Sequence, residues 1–180
     1  MTTISHTTPK KLATRARIMS CAWELFLSKG YAGTSTRDIA KKADIANGTL
    51  FSHFENKEQL LNELMQAHFD DVIAQAQQDD TFELPKLKLR HYAQHLYAFF
   101  LSYQEFTQTL LQGLVCQGVF FNSSIEKLKQ QLFVDCDRYD EVRAAAMMDC
   151  FFMTLIEGLN TQGITKTAMV SRLSAKLALL

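Results

Sequence analysis

The chain has 180 residues, of which 47% are hydrophobic and 21% charged, so it is long and apolar enough to bury a core. Its 19 basic and 19 acidic side chains cancel to a formal net charge of zero, and its apolar content excludes a disordered chain. No stretch predicts a membrane span or a secretory signal, and the four cysteines show no C-x-x-C or zinc spacing. We therefore expect a cytoplasmic protein without a membrane or metal partner.

The first predicted elements are two helices that follow a polar segment. Residues 1–11 predict a flexible basic tail, although Pro9 also suits the first turn of a helix. Apolar residues then recur at helical spacing, and Gly30 follows where a left-handed residue closes a helix. The apolar face consists of Ile18, Ala22, Leu25 and Phe26. A short helix is predicted from Ser35, with Asp38 three residues later as a variant of the capping box.

The remaining elements are also predicted to be helices. Asn56 opens a helix of roughly twenty residues, with Gln59 at the reciprocal capping position. Pro85 marks the next break. Helical periodicity then continues over about 86–103, 104–116, 122–134, 138–161 and 165 to the end. The chain is therefore predicted to be all-α, with about nine helices.

The segment from Ser35 to Phe54 is typical of a helix-turn-helix. It contains a short helix, a tight turn and a second short helix, flanked by longer helices. In such a unit the second helix enters the major groove of DNA. Residues 1–54 carry eight basic and three acidic side chains, whereas residues 55–180 carry eleven basic and sixteen acidic ones. This asymmetry indicates a basic module that faces an anionic partner.

Many residues between Leu12 and Val72 match a known pattern at fixed spacing. They are Arg17-Ile18, Ala22, Leu25-Phe26, Gly30-Tyr31, Thr34-Ser35, Ile39-Ala40, Ala43, Gly48-Thr49-Leu50, His53-Phe54 and Lys57-Glu58-Gln59-Leu60. This set resembles the N-terminal signature of TetR-family transcriptional regulators. The resemblance implies a three-helix DNA-binding domain over 12–56 and a helical effector-binding and dimerisation domain over 57–180. It also implies a homodimeric repressor of operator DNA that a small ligand releases.

Three residues depart from the family pattern. Asp44 stands where the family usually has Gly, but Asp tolerates the left-handed conformation through local hydrogen bonds. Phe51 replaces a common Tyr, so a phenolic hydroxyl that reaches phosphate is missing. Ala46 replaces a common Ser or Thr cap, which leaves Asn47 or Asp44 to cap the recognition helix. These changes affect the DNA sequence preference rather than binding itself.

The candidate DNA contacts lie in the helix-turn-helix and just beyond it. They are Thr36, Arg37, Asn47, Gly48, Thr49, Phe51, His53 and Lys57. Asn47 suits the adenine edge or, alternatively, caps the helix, and the Thr49 methyl suits thymine. His53 either donates to a phosphate or packs beside Phe54. Lys57 lies at a helix N-terminus, which already favours an anion.

The last two predicted helices carry a heptad-like apolar seam. It consists of Ala145, Met148, Phe152, Leu155, Leu159, Leu173 and Leu177. The seam predicts either a dimer interface or an ordinary intramolecular core, and the family resemblance implies a four-helix bundle between two subunits.

Aromatic residues are concentrated after residue 60, and they are candidates for a ligand pocket. The resemblance places such a pocket in the C-terminal domain. The candidates are Phe99, Phe100, Tyr103, Phe106, Phe120, Phe121, Met147 and Phe151. Few charges accompany them, so an unidentified small and largely apolar effector is expected. The alternative is a plain aromatic core, in a DNA-binding regulator without an effector.

An enzymatic function is not expected. The chain has no H-E-x-x-H, E-x-x-H, G-x-S-x-G or phosphate-loop motif. His91 and His95 are four residues apart, a spacing that can chelate a metal, but no carboxylate follows at a recognised interval. We therefore expect neither a metal nor a cofactor.

Overall fold

The computed structural model describes residues 9–117 and 121–180. Within these ranges the chain forms nine helices and no strand, which confirms the predicted all-α class. The helices are α1 (Pro9–Lys29), α2 (Thr36–Lys42), α3 (Asn47–Phe51), α4 (Lys57–Gln78), α5 (Pro85–Ser102), α6 (Gln104–Gln117), α7 (Asn122–Leu132), α8 (Glu141–Leu159) and α9 (Lys166–Leu177). Among these helices, none combines the length and the apolar composition that crossing a bilayer requires.

Helix α1 forms as its sequence predicts. Its buried face consists of Ile18, Ala22, Leu25 and Phe26, the four residues of the predicted apolar stripe. Gly30 ends the helix with a φ of 76°, and its N–H donates to the Phe26 carbonyl at 2.9 Å. Lys10 and Lys11 lie in the first turn of α1, so the prediction that they belong to a flexible tail is wrong. Residues 1–8 of that tail lie outside the described residues.

The chain divides into two compact units, Met1–Leu64 and Met65–Leu180. The division falls inside α4, whereas the sequence predicts a domain boundary before Lys57. Three apolar residues in the first two turns of α4 are buried, namely Leu60, Leu61 and Leu64. An ion pair between Arg15 and Glu63 also joins α1 to this part of α4. The N-terminal unit therefore includes the start of α4.

Helix α5 is central to the C-terminal unit, where it packs against α6, α7, α8 and α9. The Tyr97 ring of α5 stacks on the Phe151 ring of α8, with centroids 4.8 Å apart and planes at 9°. The Tyr97 hydroxyl donates to the Phe151 backbone carbonyl at 3.0 Å. Apolar burial and one satisfied hydroxyl thus hold α5 against α8.

Most of the heptad-like seam lies in the core of the chain itself, which favours the intramolecular alternative for those residues. Five of its seven residues are buried by the chain's own packing: Met148, Leu155, Leu159, Leu173 and Leu177. Ala145 and Phe152 are only partly buried. Helix α8 packs against both α5 and α9, so neighbours within the chain already cover this side. Spacing alone does not distinguish an intramolecular partner from an intermolecular one.

Candidate nucleic-acid interface

The helix-turn-helix begins with a capped short helix. The Ser35 hydroxyl oxygen accepts a hydrogen bond from the Asp38 backbone N–H at 3.1 Å, and the Asp38 carboxylate accepts one from the Ser35 N–H at 3.1 Å. The Ser35 hydroxyl, which also donates to the Asp38 carboxylate at 2.6 Å, and the Ser35 backbone N–H together hold the pKa of Asp38 below its usual range. The predicted capping box is confirmed. It starts α2 so that Ile39 and Ala40 face the core.

The turn after α2 depends on a left-handed residue that is not glycine. Asp44 has a φ of 50°, as the sequence predicts for a tolerated Asp. Its N–H donates to the Lys41 carbonyl at 3.2 Å, and the Ile45 N–H donates to the Ala40 carbonyl at 3.0 Å. This pair of hydrogen bonds is the Schellman motif, in which glycine commonly occupies the position of Asp44. The motif ends α2 and redirects the chain into α3.

The start of α3 differs from the sequence prediction. Ala46 occupies the N-cap position and makes no side-chain capping hydrogen bond. Asn47 is the first helical residue, so the prediction that Asn47 or Asp44 caps the helix is wrong. The Asn47 Oδ1 atom is buried without a hydrogen-bond partner in the part of the chain that the structure describes. Helix α3 is therefore held by packing of Leu50, which is fully buried.

The candidate contact residues differ in their accessibility. Arg37, Gly48 and Phe51 are exposed, and Phe51 keeps 47% of its surface accessible. Thr36 and Thr49 are partly exposed. A Cβ added at Gly48 would meet no atom of this chain within 4 Å. The surface around α3 therefore presents small or polar groups together with one exposed aromatic ring.

The Lys57 side chain makes hydrogen bonds and a cation–π contact within the protein. Its ammonium donates to the Tyr31 and Thr34 backbone carbonyls, each at 2.9 Å, and lies 4.1 Å from the centre of the Tyr31 ring. Burial, assisted by the Glu58 carboxylate, raises the pKa of Tyr31 to about 12. The predicted phosphate contact by Lys57 would thus compete with internal partners. Asn56 caps α4 as predicted, since its Oδ1 accepts from the Gln59 N–H at 2.7 Å.

Arg15 is a structural residue that sequence reasoning does not identify. Its guanidinium donates to the His53 carbonyl, pairs with Glu63 and lies 4.1 Å from the centre of the Phe54 ring. These partners are 38 or more residues away in the chain, so no local spacing predicts them. Burial, Lys11 and Arg15 lower the pKa of His53, which leaves its imidazole neutral near pH 7.

The basic side chains of residues 1–54 fall into two groups. Arg15 and Lys42 form ion pairs with Glu63 and Glu24. Six other cations are exposed: Lys10, Lys11, Arg17, Lys29, Arg37 and Lys41. The excess of positive charge is therefore carried by accessible side chains, which can interact with an anionic partner.

The predicted pocket residues form a connected aromatic cluster. Phe99 contacts Phe100 and Tyr103, with both pairs of ring centroids 5.3 Å apart, and Tyr103 stacks on Phe106 at 6.0 Å. Phe100 lies 6.5 Å from Phe151. Met147, Phe151 and Phe121 are buried, and Phe120 lies outside the described residues.

Phe69 is a member of this cluster that the sequence prediction omits. Its ring lies 6.0 Å from Phe100 and 5.0 Å from Phe121. Phe69 belongs to α4, whereas the predicted set came from later helices. Its place in the apolar periodicity of α4 could have identified it as a core residue, but not its aromatic neighbours.

The two histidines on α5 lie close together. Their rings lie 5.1 Å apart, and the His91 Nε2 atom is 2.8 Å from the Ala76 carbonyl oxygen. Over residues 9–117 and 121–180, no group of three histidine, cysteine or acidic side chains is arranged to hold a metal ion. The geometry thus offers these two histidines no third ligand.

The N-terminal unit matches known proteins. Residues 18–64 match the family model for bacterial regulatory proteins of the tetR family. The chain is 40% identical over 55 residues to the uncharacterized HTH-type transcriptional regulator YvkB of Bacillus subtilis. This alignment covers 31% of this chain and 29% of that protein. The chain is 36% identical over 84 residues to the HTH-type transcriptional repressor KstR2 of Mycolicibacterium smegmatis. That alignment covers 46% of this chain and 41% of that protein. The match thus spans less than half the length of these curated relatives.

The whole described fold also resembles solved structures. A TetR transcriptional regulator from Rhodococcus sp. RHA1 has a TM-score of 0.72 at 17% identity, covering 96% of this chain and 97% of that chain. Thermus thermophilus FadR, a TetR-family repressor in complex with lauroyl-CoA, has a TM-score of 0.65 at 20% identity, with 92% of both chains covered. At these identities the likeness shows the fold. Residues 18–64 are therefore similar to the tetR family of bacterial regulatory proteins, and the described fold is similar to that of solved TetR regulators.

Proposed function

We propose that this protein is a cytoplasmic, sequence-specific transcriptional regulator that binds double-stranded operator DNA as a homodimer. It acts as a repressor, and a small ligand releases it from the operator. The curated relatives are HTH-type regulators and repressors rather than enzymes, which supports the direction of regulation. The Schellman turn at Asp44, which directs α2 into α3, carries the proposal.

The surface of α3 supports DNA reading. A recognition helix contacts base edges with the residues near its N-terminus. Gly48 lies there with no chain atom within 4 Å of an added Cβ, so it leaves space for a duplex to approach. Thr49 and Phe51 add methyl and aromatic groups that suit thymine, and Arg37 adds a cation for phosphate or guanine. These side chains are compatible with a major-groove contact.

An unpartnered face of α8 supports a homodimer. Val142, Met153 and Ile156 lie on one helical face and remain exposed in the single chain. Phe152 and Ala145, which belong to the predicted seam, are partly exposed beside this face. A single helix-turn-helix contacts few base pairs, so a second copy of the chain bound to a two-fold symmetric operator increases sequence specificity. We propose that this exposed face of α8, rather than the buried seam, contacts the second copy.

Two observations bear on the effector. FadR has the same fold and was crystallised with lauroyl-CoA, which favours a ligand-responsive C-terminal unit. The ring-to-ring packing of Phe69, Phe100 and Phe121 instead favours the second candidate, a DNA-binding regulator without an effector. Release of operator DNA by a bound ligand distinguishes the two candidates.

The experiment is a footprint on the DNA upstream of the gene, followed by affinity measurements at several salt concentrations. If about six phosphates are neutralised, affinity should fall on the order of a thousandfold between 50 and 200 mM salt. Gly48→Leu should abolish binding because its side chain occupies the approach of the duplex. Ala67→Leu, at an exposed position of α4, is the matched control. A flat salt response, or a folded Gly48→Leu variant with full affinity, would contradict DNA binding through α3.

A further inference from the structure

A groove of about 350 Å³ lies in the C-terminal unit between α4, α5 and the start of α9. Its apolar lining includes Val72, Ala98 and Phe99, together with the Tyr103 ring. The Phe99 and Tyr103 rings meet edge to face, with centroids 5.3 Å apart. This volume is near the lower end of the roughly 300–1,000 Å³ typical of small-molecule sites. The groove therefore suits a small molecule with an apolar, preferably aromatic, body.

The polar lining of the same groove favours a negative charge. It contains the Lys166 ammonium and the His95 imidazole, and no acidic residue lines the groove in the described part of the chain. Burial lowers the pKa of His95, as do His91 and Lys166, against an opposing effect of Asp79. At neutral pH the groove thus combines one full cation with a neutral imidazole that can donate a hydrogen bond.

The charge of the surrounding chain restricts the kind of anion. Residues 65–180, which form this unit, carry thirteen acidic and ten basic side chains, so a polyanion such as DNA is disfavoured there. A ligand with a single negative charge avoids most of this repulsion. Its carboxylate would gain charge-assisted hydrogen bonds, which are stronger than those of a neutral amide.

We propose that this groove binds a small aromatic carboxylate. Lys166 and His95 hold its carboxylate, while Phe99 and Tyr103 contact its ring. The groove shares Phe99 and Tyr103 with the predicted aromatic pocket and adds His95 and Lys166, which the sequence prediction does not include. The inference deepens the proposed function, on which its regulatory part rests, because it names the chemistry of the effector.

Three probes of the same shape and different charge test the proposal on the full chain. They are 3-phenylpropanoate, the neutral 3-phenylpropanamide and the cationic 3-phenylpropylamine, each measured by isothermal titration calorimetry. We expect the carboxylate to bind at least about fivefold more tightly than the other two, with the difference decreasing as salt is added. Equal affinities for the three probes, or no binding of the carboxylate, would overturn the proposal.

Charge reversal locates the site. Lys166→Glu places an acidic residue in the first turn of α9, which a helix N-terminus tolerates. This substitution should lower the affinity for the carboxylate at least about fivefold and raise the affinity for the amine. Lys86→Glu makes the same change in the first turn of α5, outside the groove, and should leave all three affinities unchanged. If a folded Lys166→Glu variant still preferred the carboxylate over the amide and the amine, the ligand would bind elsewhere. The proposed site would then be wrong.

Operator binding is measured separately so that the two proposals can fail separately. If the chain protects its upstream DNA but binds no carboxylate, the inference fails and the proposed function stands. If the chain binds the carboxylate at Lys166 but no DNA, the site stands and the regulatory function fails. If both are bound, the carboxylate should lower operator affinity about 5–150-fold, and no change would refute the regulatory coupling.

Discussion

The Lys57 ammonium lies 4.1 Å from the centre of the Tyr31 ring and donates a 2.9 Å hydrogen bond to the Tyr31 backbone carbonyl. It also donates to the Thr34 carbonyl at 2.9 Å. These contacts connect the start of α4 to the loop between α1 and α2. Lys57 therefore stabilises the packing of α4 against the loop that precedes the helix-turn-helix, independently of any contact with phosphate.

Replacing Lys57 by methionine should destabilise the protein. The variant keeps an apolar stem but loses two charge-assisted hydrogen bonds and a cation–π contact. We expect the free energy of unfolding to fall by about 1–3 kcal/mol, measured by urea denaturation. Lys29→Met, which removes an exposed cation, is the control and should cost about 0.5 kcal/mol or less.

The same variant tests whether Lys57 contacts DNA. A lysine that neutralises one phosphate contributes about 0.9 to the slope of log affinity against log salt. If Lys57 is purely structural, the Lys57→Met variant should retain the wild-type slope at temperatures where it is folded. A slope reduced by about 0.9 would instead show that the ammonium exchanges its carbonyl partners for a phosphate.

Asp44 should limit the stability of the N-terminal unit through its left-handed backbone. Glycine adopts a φ of 50° without a Cβ clash, so Asp44→Gly should raise the free energy of unfolding by up to about 1 kcal/mol. Asp44→Val should lower it by about 1–2 kcal/mol, because a β-branched residue resists this conformation. Thermal denaturation of both variants checks the order of stability.

Asp44→Asn separates the backbone effect from the charge. Asparagine tolerates the left-handed region as aspartate does, so its stability should lie within about 0.5 kcal/mol of the wild type. If the asparagine and valine variants were equally destabilised, the carboxylate charge rather than the φ angle of Asp44 would control the turn.

Lys88 should be strongly coupled to Asp80. Its ammonium is buried and pairs with Asp80 at 3.0 Å and with Asp135 at 2.9 Å. Burial by itself lowers the pKa of Lys88, but hydrogen bonds to Asp135 and Asp80 outweigh burial and raise it. Lys88→Met leaves the buried Asp80 carboxylate without its cation and should cost about 3–5 kcal/mol of unfolding free energy.

A double-mutant cycle measures this coupling. Lys88→Met combined with Asp80→Leu removes both charges, so it should cost less than Lys88→Met alone. Lys129→Met, which breaks an ion pair with the exposed Glu126, is the control and should change stability by about 0.5 kcal/mol or less. Additive effects of the two core substitutions would contradict the coupling between Lys88 and Asp80.

Acid should destabilise the C-terminal unit through two histidines. Burial is the main cause that lowers the pKa values of His68 and His95 below their ordinary value of 6.5. The unfolded chain then binds more protons below pH 6.5, so their contribution to stability is full above that pH and is lost as the pH falls. Urea denaturation at pH 7.5 and pH 5.5 should show a smaller loss in the His68→Gln/His95→Gln double variant than in the wild type. Equal losses would exclude these two groups as the cause.

Local chemistry made much of the helix-turn-helix predictable. Ser35 and Asp38 form a capping box within three residues, and Gly30 directly follows an apolar helical face. Residues close in sequence therefore determine the start of α2 and the end of α1. Asp44 adopts the left-handed conformation expected from its place in the turn. The capping of α3 was not predictable in this way, because burial of Leu50 holds a helix that lacks a capping side chain.

The amino-acid sequence by itself determined the helical class, the order of the helices and the basic N-terminal module, because propensity, periodicity and capping act between near neighbours. Only the tertiary structure decided which charges and apolar faces have partners. Arg15 meets Glu63, and Lys88 meets both Asp80 and Asp135, across separations that no local pattern encodes. Leu155 and Leu173 belong to the chain's own core, because a helical stripe specifies that a face is buried but not which helix covers it.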